Sequence, residues 1–146
     1  MGPDDNLSRA QLAQILYNKE GRPSVTGGSP FTDVPDGRWY TPPVTWAAAS
    51  GIVNGYGNGQ FGPDDSITRE QLTVMLWRYA GSLAATEKEL HFSDADGISG
   101  YALDAMRWAV ENGIMDGYGN GLLSPQDLAT RAQVAQMLKN FLTGQI

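Results

Sequence analysis

One ten-residue stretch returns three times along this chain. Pro3-Asp4-Asp5-Asn6-Leu7-Ser8-Arg9-Ala10-Gln11-Leu12 comes back 60 residues later as Pro63-Asp64-Asp65-Ser66-Ile67-Thr68-Arg69-Glu70-Gln71-Leu72. It comes back again, a further 62 residues on, as Pro125-Gln126-Asp127-Leu128-Ala129-Thr130-Arg131-Ala132-Gln133-Val134. A stretch recurring at near-constant spacing calls for a repeat architecture, in which each unit buries its apolar face against its neighbours.

Each copy reads as a helix start. Ser8, Thr68 and Thr130 are N-cap residues, and Gln11, Gln71 and Gln133 follow three positions later. That is capping-box spacing, in which cap and glutamine satisfy each other's backbone donors. Apolar residues then recur at helical spacing: Leu12, Ile15 and Leu16; Leu72, Met75, Leu76 and Tyr79; Val134, Met137, Leu138 and Phe141. One face of each helix must therefore be buried.

A second shared segment precedes two of the copies. It runs from Phe31-Thr32-Asp33 to Gly59-Gln60-Phe61, and from Phe92-Ser93-Asp94 to Gly121-Leu122-Leu123. Each contains a further short helix. The first is expected to be capped by Thr41, with Pro42 in its first turn, and to run to Ala49 before Gly51 closes it. The second is expected to run from a Ser99 cap to Asn112, closed by Gly113. Trp46 and Trp108 hold matching places, and near-identical glycine loops follow, Gly51 to Gly59 and Gly113 to Gly121. So many glycines suit positive φ or close approach of a ligand or another chain. The unit is thus helix, glycine loop, capped helix. The first copy lacks its front half, which gives two and a half repeats with Met1 as an added start. The missing half is either trimmed away or supplied by a second chain.

Composition narrows the chemistry. At 146 residues the chain suits one compact domain, and it contains no apolar run long enough to span a membrane. The absence of cysteine rules out disulfides, and a single histidine, His91, argues against histidine metal sites and triads. A net charge of −6 argues against nucleic acid as a partner, since phosphate binding needs a basic surface. An anionic ligand would have to be held in local pockets. The aspartates at 64–65 and 94–96 lack the alternation and closing glutamate of a calcium loop, so no metal or cofactor is expected. Nor is catalysis, because a catalyst is not normally repeated in half-sized units. Residues 22–30 and 81–89 read as connections.

Arg9, Arg69 and Arg131 occupy the first helical position, where the helix dipole makes a cation mildly unfavourable. Either each pairs with a nearby carboxylate, Asp5, Asp65 or Asp127, or arginine and helix-end N–H groups together form an anion site. Trp46 and Trp108 suit the core or a sugar platform. Tyr56 and Tyr118, on glycine loops, suit ligand contact. Asp33 and Asp94 suit either a local turn cap or binding.

Taken in order, these motifs resemble the S-layer homology family: Phe31-Thr32-Asp33-Val34, Trp46-Ala47, Gly51-Ile52, the run from Gly55 through Phe61 to Pro63, and Thr68-Arg69-Glu70-Gln71. The resemblance implies an all-α fold, three units wound into a pseudo-threefold domain with a central helical bundle and three prongs. On this chain it implies a first half-repeat with linker over 1–30 and repeats over 31–91 and 92–146. It implies non-covalent anchoring at the bacterial cell wall, through a secondary cell-wall polysaccharide often capped by a pyruvylated N-acetylmannosamine and held in grooves between units. Arg9, Arg69 and Arg131 would hold the ketal carboxylate. Asp33, Asp94, Tyr56, Gly57, Asn58 and Gly59, with Tyr118, Gly119, Asn120 and Gly121, would contact sugar. The rival expectation is a structural or assembly module acting through protein–protein contact. The chain departs from the family pattern at Gln11, Gln71 and Gln133, where glutamate is usual, and in the third unit at Gly100, Leu123 and Ser124-Pro125-Gln126.

Overall fold

A computed structural model of the chain describes residues 5–56, 58–86, 90, 92–115 and 122–144. Regular structure among them is helical: α1 (Arg9–Lys19), α2 (Thr41–Ala49), α3 (Arg69–Tyr79), α4 (Leu103–Glu111) and α5 (Arg131–Gly144). Extended pairing among these residues is limited to single backbone bridges. No helix in the described residues is long and apolar enough to cross a membrane. The fold is all-α, as the sequence predicts.

The chain divides into two compact units. One spans Leu7–Ser66; the other joins Met1–Asn6 to Ile67–Ile146. In the first unit α1 packs on α2. Leu12, Leu16, Val44 and Phe61 are wholly buried, and Phe31 lies against Phe61 at 5.4 Å. In the second unit α3 packs on α4. Leu72, Leu76, Met106 and Leu123 are wholly buried, and Phe141 of α5 sits 6.0 Å from both Tyr79 and Trp108.

All three capping boxes form. Ser8 Oγ accepts from Gln11 N at 3.1 Å while Gln11 Oε1 accepts from Ser8 N at 2.8 Å. Thr68 with Gln71 and Thr130 with Gln133 repeat this exchange. The short helices start differently from expectation. Tyr40, not Thr41, is the N-cap of α2, because the Thr41 hydroxyl is engaged in the preceding turn, donating to Pro35 O and accepting from Arg38 N. Ser99 caps no α-helix. Its hydroxyl and N–H go to Glu70, a single 3-10 turn follows at Gly100–Ala102, and α4 begins at Leu103. Gly51 and Gly113 follow the C-caps of α2 and α4, where the sequence puts the closing glycines.

α1 and α3 end alike. Gly21 and Gly81 are followed by Arg22 and Ser82, both at φ 55°, in the left-handed region that non-glycine residues seldom adopt. An aromatic ring holds each end down. Tyr17 Oη donates to Pro23 O, and Trp77 Nε1 donates to Leu83 O, each at 2.8 Å.

Candidate functional site

The repeated arginines open α1 and α3, and in both units the same set of bonds surrounds them. The N–H of Arg9 donates to Asp65 O, that of Arg69 to Asp127 O, and that of Arg131 to Asp5 O, at 2.8–2.9 Å. The aspartates singled out as carboxylate partners are therefore neighbours, and the backbone joins them. The guanidinium reaches elsewhere. Arg9 Nε donates to Phe61 O and Arg69 Nε to Leu123 O, both at 2.8 Å. These side chains are buried, 6% and 4% exposed, while Arg131 is half-buried. The Arg9 guanidinium lies 4.6 Å from the Tyr56 ring centre and 4.7 Å from that of Phe61, within cation–π range. Each arginine is thus fixed at a helix amino end, where positive charge is already concentrated.

Asp33 and Asp94 form the other half of the arrangement. The two carboxylate oxygens of Asp33 accept from the N–H groups of Phe61 and Gly62, each at 2.8 Å. Those of Asp94 accept from Leu123 and Ser124 at 2.9 and 2.7 Å. Each aspartate holds the chain just beyond a glycine loop, presenting to the arginine the very carbonyl its Nε uses. This is a cap on a turn some thirty residues distant, and such charge-assisted bonds are the stronger kind.

Tyr56 completes the first unit's cluster. Its hydroxyl donates to Asp65 Oδ2 at 2.8 Å, although the residue as a whole is 44% exposed. Burial of the phenol raises its pKa above the ordinary 10.0, the Asp65 hydrogen bond adds to the rise, and the Arg9 cation opposes it. Gly62 sits beneath at φ 75°, and a Cβ there would lie 2.5 Å from Asp65 Oδ2 and 2.6 Å from the Tyr56 ring. Only glycine admits this packing. In the second unit the equivalent position is Ser124, at φ 53°.

Within the loop, Asn58 Oδ1 accepts from Gln60 N, and Gly59 O accepts from both Thr32 N and Thr32 Oγ1. Trp46 is half-buried against Tyr17 at 5.7 Å. Trp108 is 3% exposed, packed on Phe141, and takes the core position of the two readings. Gly57, His91, Tyr118, Gly119, Asn120 and Gly121 lie outside the described residues.

Sequence reasoning gave no role to Glu70. It is 2% exposed and accepts from Ser99 N, Ser99 Oγ and Tyr101 Oη. The signal was there in the repeat: the matching positions are Ala10 and Ala132, so an acid stands at one copy alone. The Tyr56–Asp65 bond, nine residues apart, also went unread.

The family model for the S-layer homology domain matches residues 30–73 and 91–135. Over 144 residues, 96% of the chain, the sequence is 31% identical to an endoglucanase of Bacillus sp. (strain KSM-635) and to an amylopullulanase of Thermoanaerobacterium thermosulfurigenes, covering 15% and 8% of those proteins. It is 29% identical to S-layer protein EA1 of Bacillus anthracis over 90% of the chain and 14% of that protein. The chain thus spans less than a fifth of these relatives' length. With two matched repeats, and with the caps, glycine loops and arginines described above, the chain belongs to the S-layer homology family.

Proposed function

We propose that this chain anchors the protein that carries it by binding a secondary cell-wall polysaccharide, with the carboxylate of a pyruvylated amino sugar received at Arg9 and Arg69. As a member of the S-layer homology family, the chain is a module of the bacterial cell surface. The observation carrying the finer reading is the repeated fixing of an arginine at a helix amino end, by a carbonyl that an aspartate holds in place. A guanidinium held in one plane at the positive end of a helix suits a carboxylate, which would offset the charge of both, although the first-turn N–H groups themselves are already taken by Asp65 O, Pro63 O and the cap in α1 and by Asp127 O, Pro125 O and the cap in α3. In this reading Asp33 and Asp94 shape the site through the loop, Tyr56, Asn58 and Gly59 border the sugar, and the repeats divide at 30/31 and 91/92.

The matching relatives support binding without catalysis. An endoglucanase, an amylopullulanase and an S-layer protein carry three different names, and the segment matched here is common to them. A part common to unlike proteins serves attachment better than it serves any one reaction.

The burial of Arg9 and Arg69 favours a second reading, in which the arginines are structural ties and the module acts through protein–protein assembly. Calorimetric titration with pyruvylated N-acetylmannosamine and with its unpyruvylated twin separates the two. Binding of the pyruvylated sugar alone supports the carboxylate site. Equal binding of both, or of neither, overturns it and leaves assembly as the better account.

A further inference from the structure

The far end of α1 carries a cleft that the arginine site does not use. Its α1 residues, Gln14 and Tyr17, lie about 8 and 12 Å along the helix axis from Arg9. Gln14, Tyr17, Arg22, Trp39, Pro42 and Pro43 line it, around a volume of about 380 Å³. Trp39 is 56% exposed, and its ring is braced edge-on by Tyr40 at 5.3 Å and 88°.

Arg22 is built into place. Its backbone is at φ 55°, and its Nε donates to Asn18 Oδ1 at 2.8 Å. That same oxygen accepts from Gln14 Nε2 at 2.7 Å. The chain Gln14–Asn18–Arg22 therefore orients the guanidinium, whose Nη atoms find no partner among the described residues.

The second unit supplies a natural contrast. At the same place, Trp77, Ser82, Ala84, Ala85, Asp104 and Arg107 line a cleft of about 140 Å³. Ser82 stands where Arg22 does, Tyr101 precedes the N-cap of α4 as Trp39 precedes that of α2 but does not line the cleft, and Asp104 and Arg107 pair with each other at 3.2 Å. The frame is similar in both units; the second cleft keeps an aromatic residue, Trp77, but its arginine is paired with Asp104, whereas the first sets an exposed indole beside a guanidinium with no carboxylate on it among the described residues.

We infer that the Trp39–Arg22–Gln14 cleft is a second saccharide subsite, taking a pyranose ring of the same polymer. The exposed indole offers a flat apolar face, Arg22 offers donors, and Gln14 Oε1 offers an acceptor. A hydroxylated ring needs all three: an apolar face for stacking, and hydroxyls that both give and receive hydrogen bonds. The inference rests on the proposed function only in taking a polysaccharide as the ligand.

The test is calorimetry of the whole chain with two probes: pyruvylated N-acetylmannosamine alone, and a purified cell-wall polysaccharide fragment of several rings. Trp39→Ala and Arg22→Ala are each expected to lower affinity for the fragment by about tenfold, the scale of one lost aromatic contact or one lost hydrogen bond to a charged group, and so to narrow the preference for fragment over monosaccharide. Trp39→Phe, which keeps a flat face, should retain part of the affinity, and Asp104→Ala in the other cleft should leave it as it is. Both cleft residues are exposed, so the variants are expected to fold. Wild-type affinity for the fragment in Trp39→Ala, or no binding of the fragment by the wild type, overturns the subsite. So does quenching of Trp39 by a proline-rich peptide but not by the fragment. Arg9→Ala with undiminished affinity counts against the arginine site alone, leaving the Trp39 comparison to decide the cleft.

Discussion

Asp33 does two jobs with one carboxylate, because each oxygen takes a different backbone donor. Asparagine has the same shape and only one acceptor oxygen. Asp33→Asn should therefore leave the N–H of Phe61 or Gly62 unsatisfied and lower stability by about 1–3 kcal/mol, measured as a shifted urea midpoint. Asp94→Asn should behave alike in the second unit. Tyr56 sets a pH limit at the same site. Its folded pKa is raised, so the folded state holds the phenolic proton more tightly than the unfolded chain does. The stability it contributes is complete below pH 10 and is lost as pH rises through the raised value. Urea midpoints measured from pH 9 to 11 should fall more steeply for the wild type than for Tyr56→Phe; parallel curves would remove Tyr56 from the account. Arg9→Ala and Arg69→Ala should cost stability as well, since both side chains are buried and bond to carbonyls.

Among the elements, what the sequence predicts well is local. A cap and its glutamine lie three residues apart, so pattern alone reveals the boxes opening α1, α3 and α5. Partners 28 or more residues apart are invisible to pattern, and the misjudged start of α4 traces to one of them. Ser99 looks like a cap, yet Glu70 claims it from 29 residues away, which delays α4 to Leu103. Asp33 and Asp94 are readable as turn caps, though not as clamps on a distant loop. Thr41 is displaced by one residue for a nearer cause, the carbonyl of Pro35. The Glu70 tie gives its own prediction. Glu70→Ala should strand the half-buried Ser99 N–H and loosen the segment leading into α4, at a cost of about 1–3 kcal/mol. Faster amide exchange confined to residues 98–103 would match this; unchanged exchange there would show that the tie does not hold the segment.

At the scale of the whole molecule, the repeats look interchangeable in sequence, and the structure divides into two compact units that meet in the chain at 6/7 and 66/67. The second unit takes its first residues from one end of the chain and the rest from the other. Asn6 bridges to Thr130, and Asp5 O accepts from Arg131 N at 2.8 Å, closing the start of α5. Removing residues 1–6 should therefore expose that N–H and speed its exchange by about tenfold or more, as expected for a lost backbone bond of about 1.4 kcal/mol. Protection that survives the deletion would mean that α5 starts without help.

The same closure has a mechanical meaning. A tension drawn between residue 5 and α5 is borne within a single unit. It enters one unit from both sides, and the clasp between residues 5–6 and 130–131 takes the load first. A few backbone hydrogen bonds would then act as the fuse of that unit, parting before α5 unwinds.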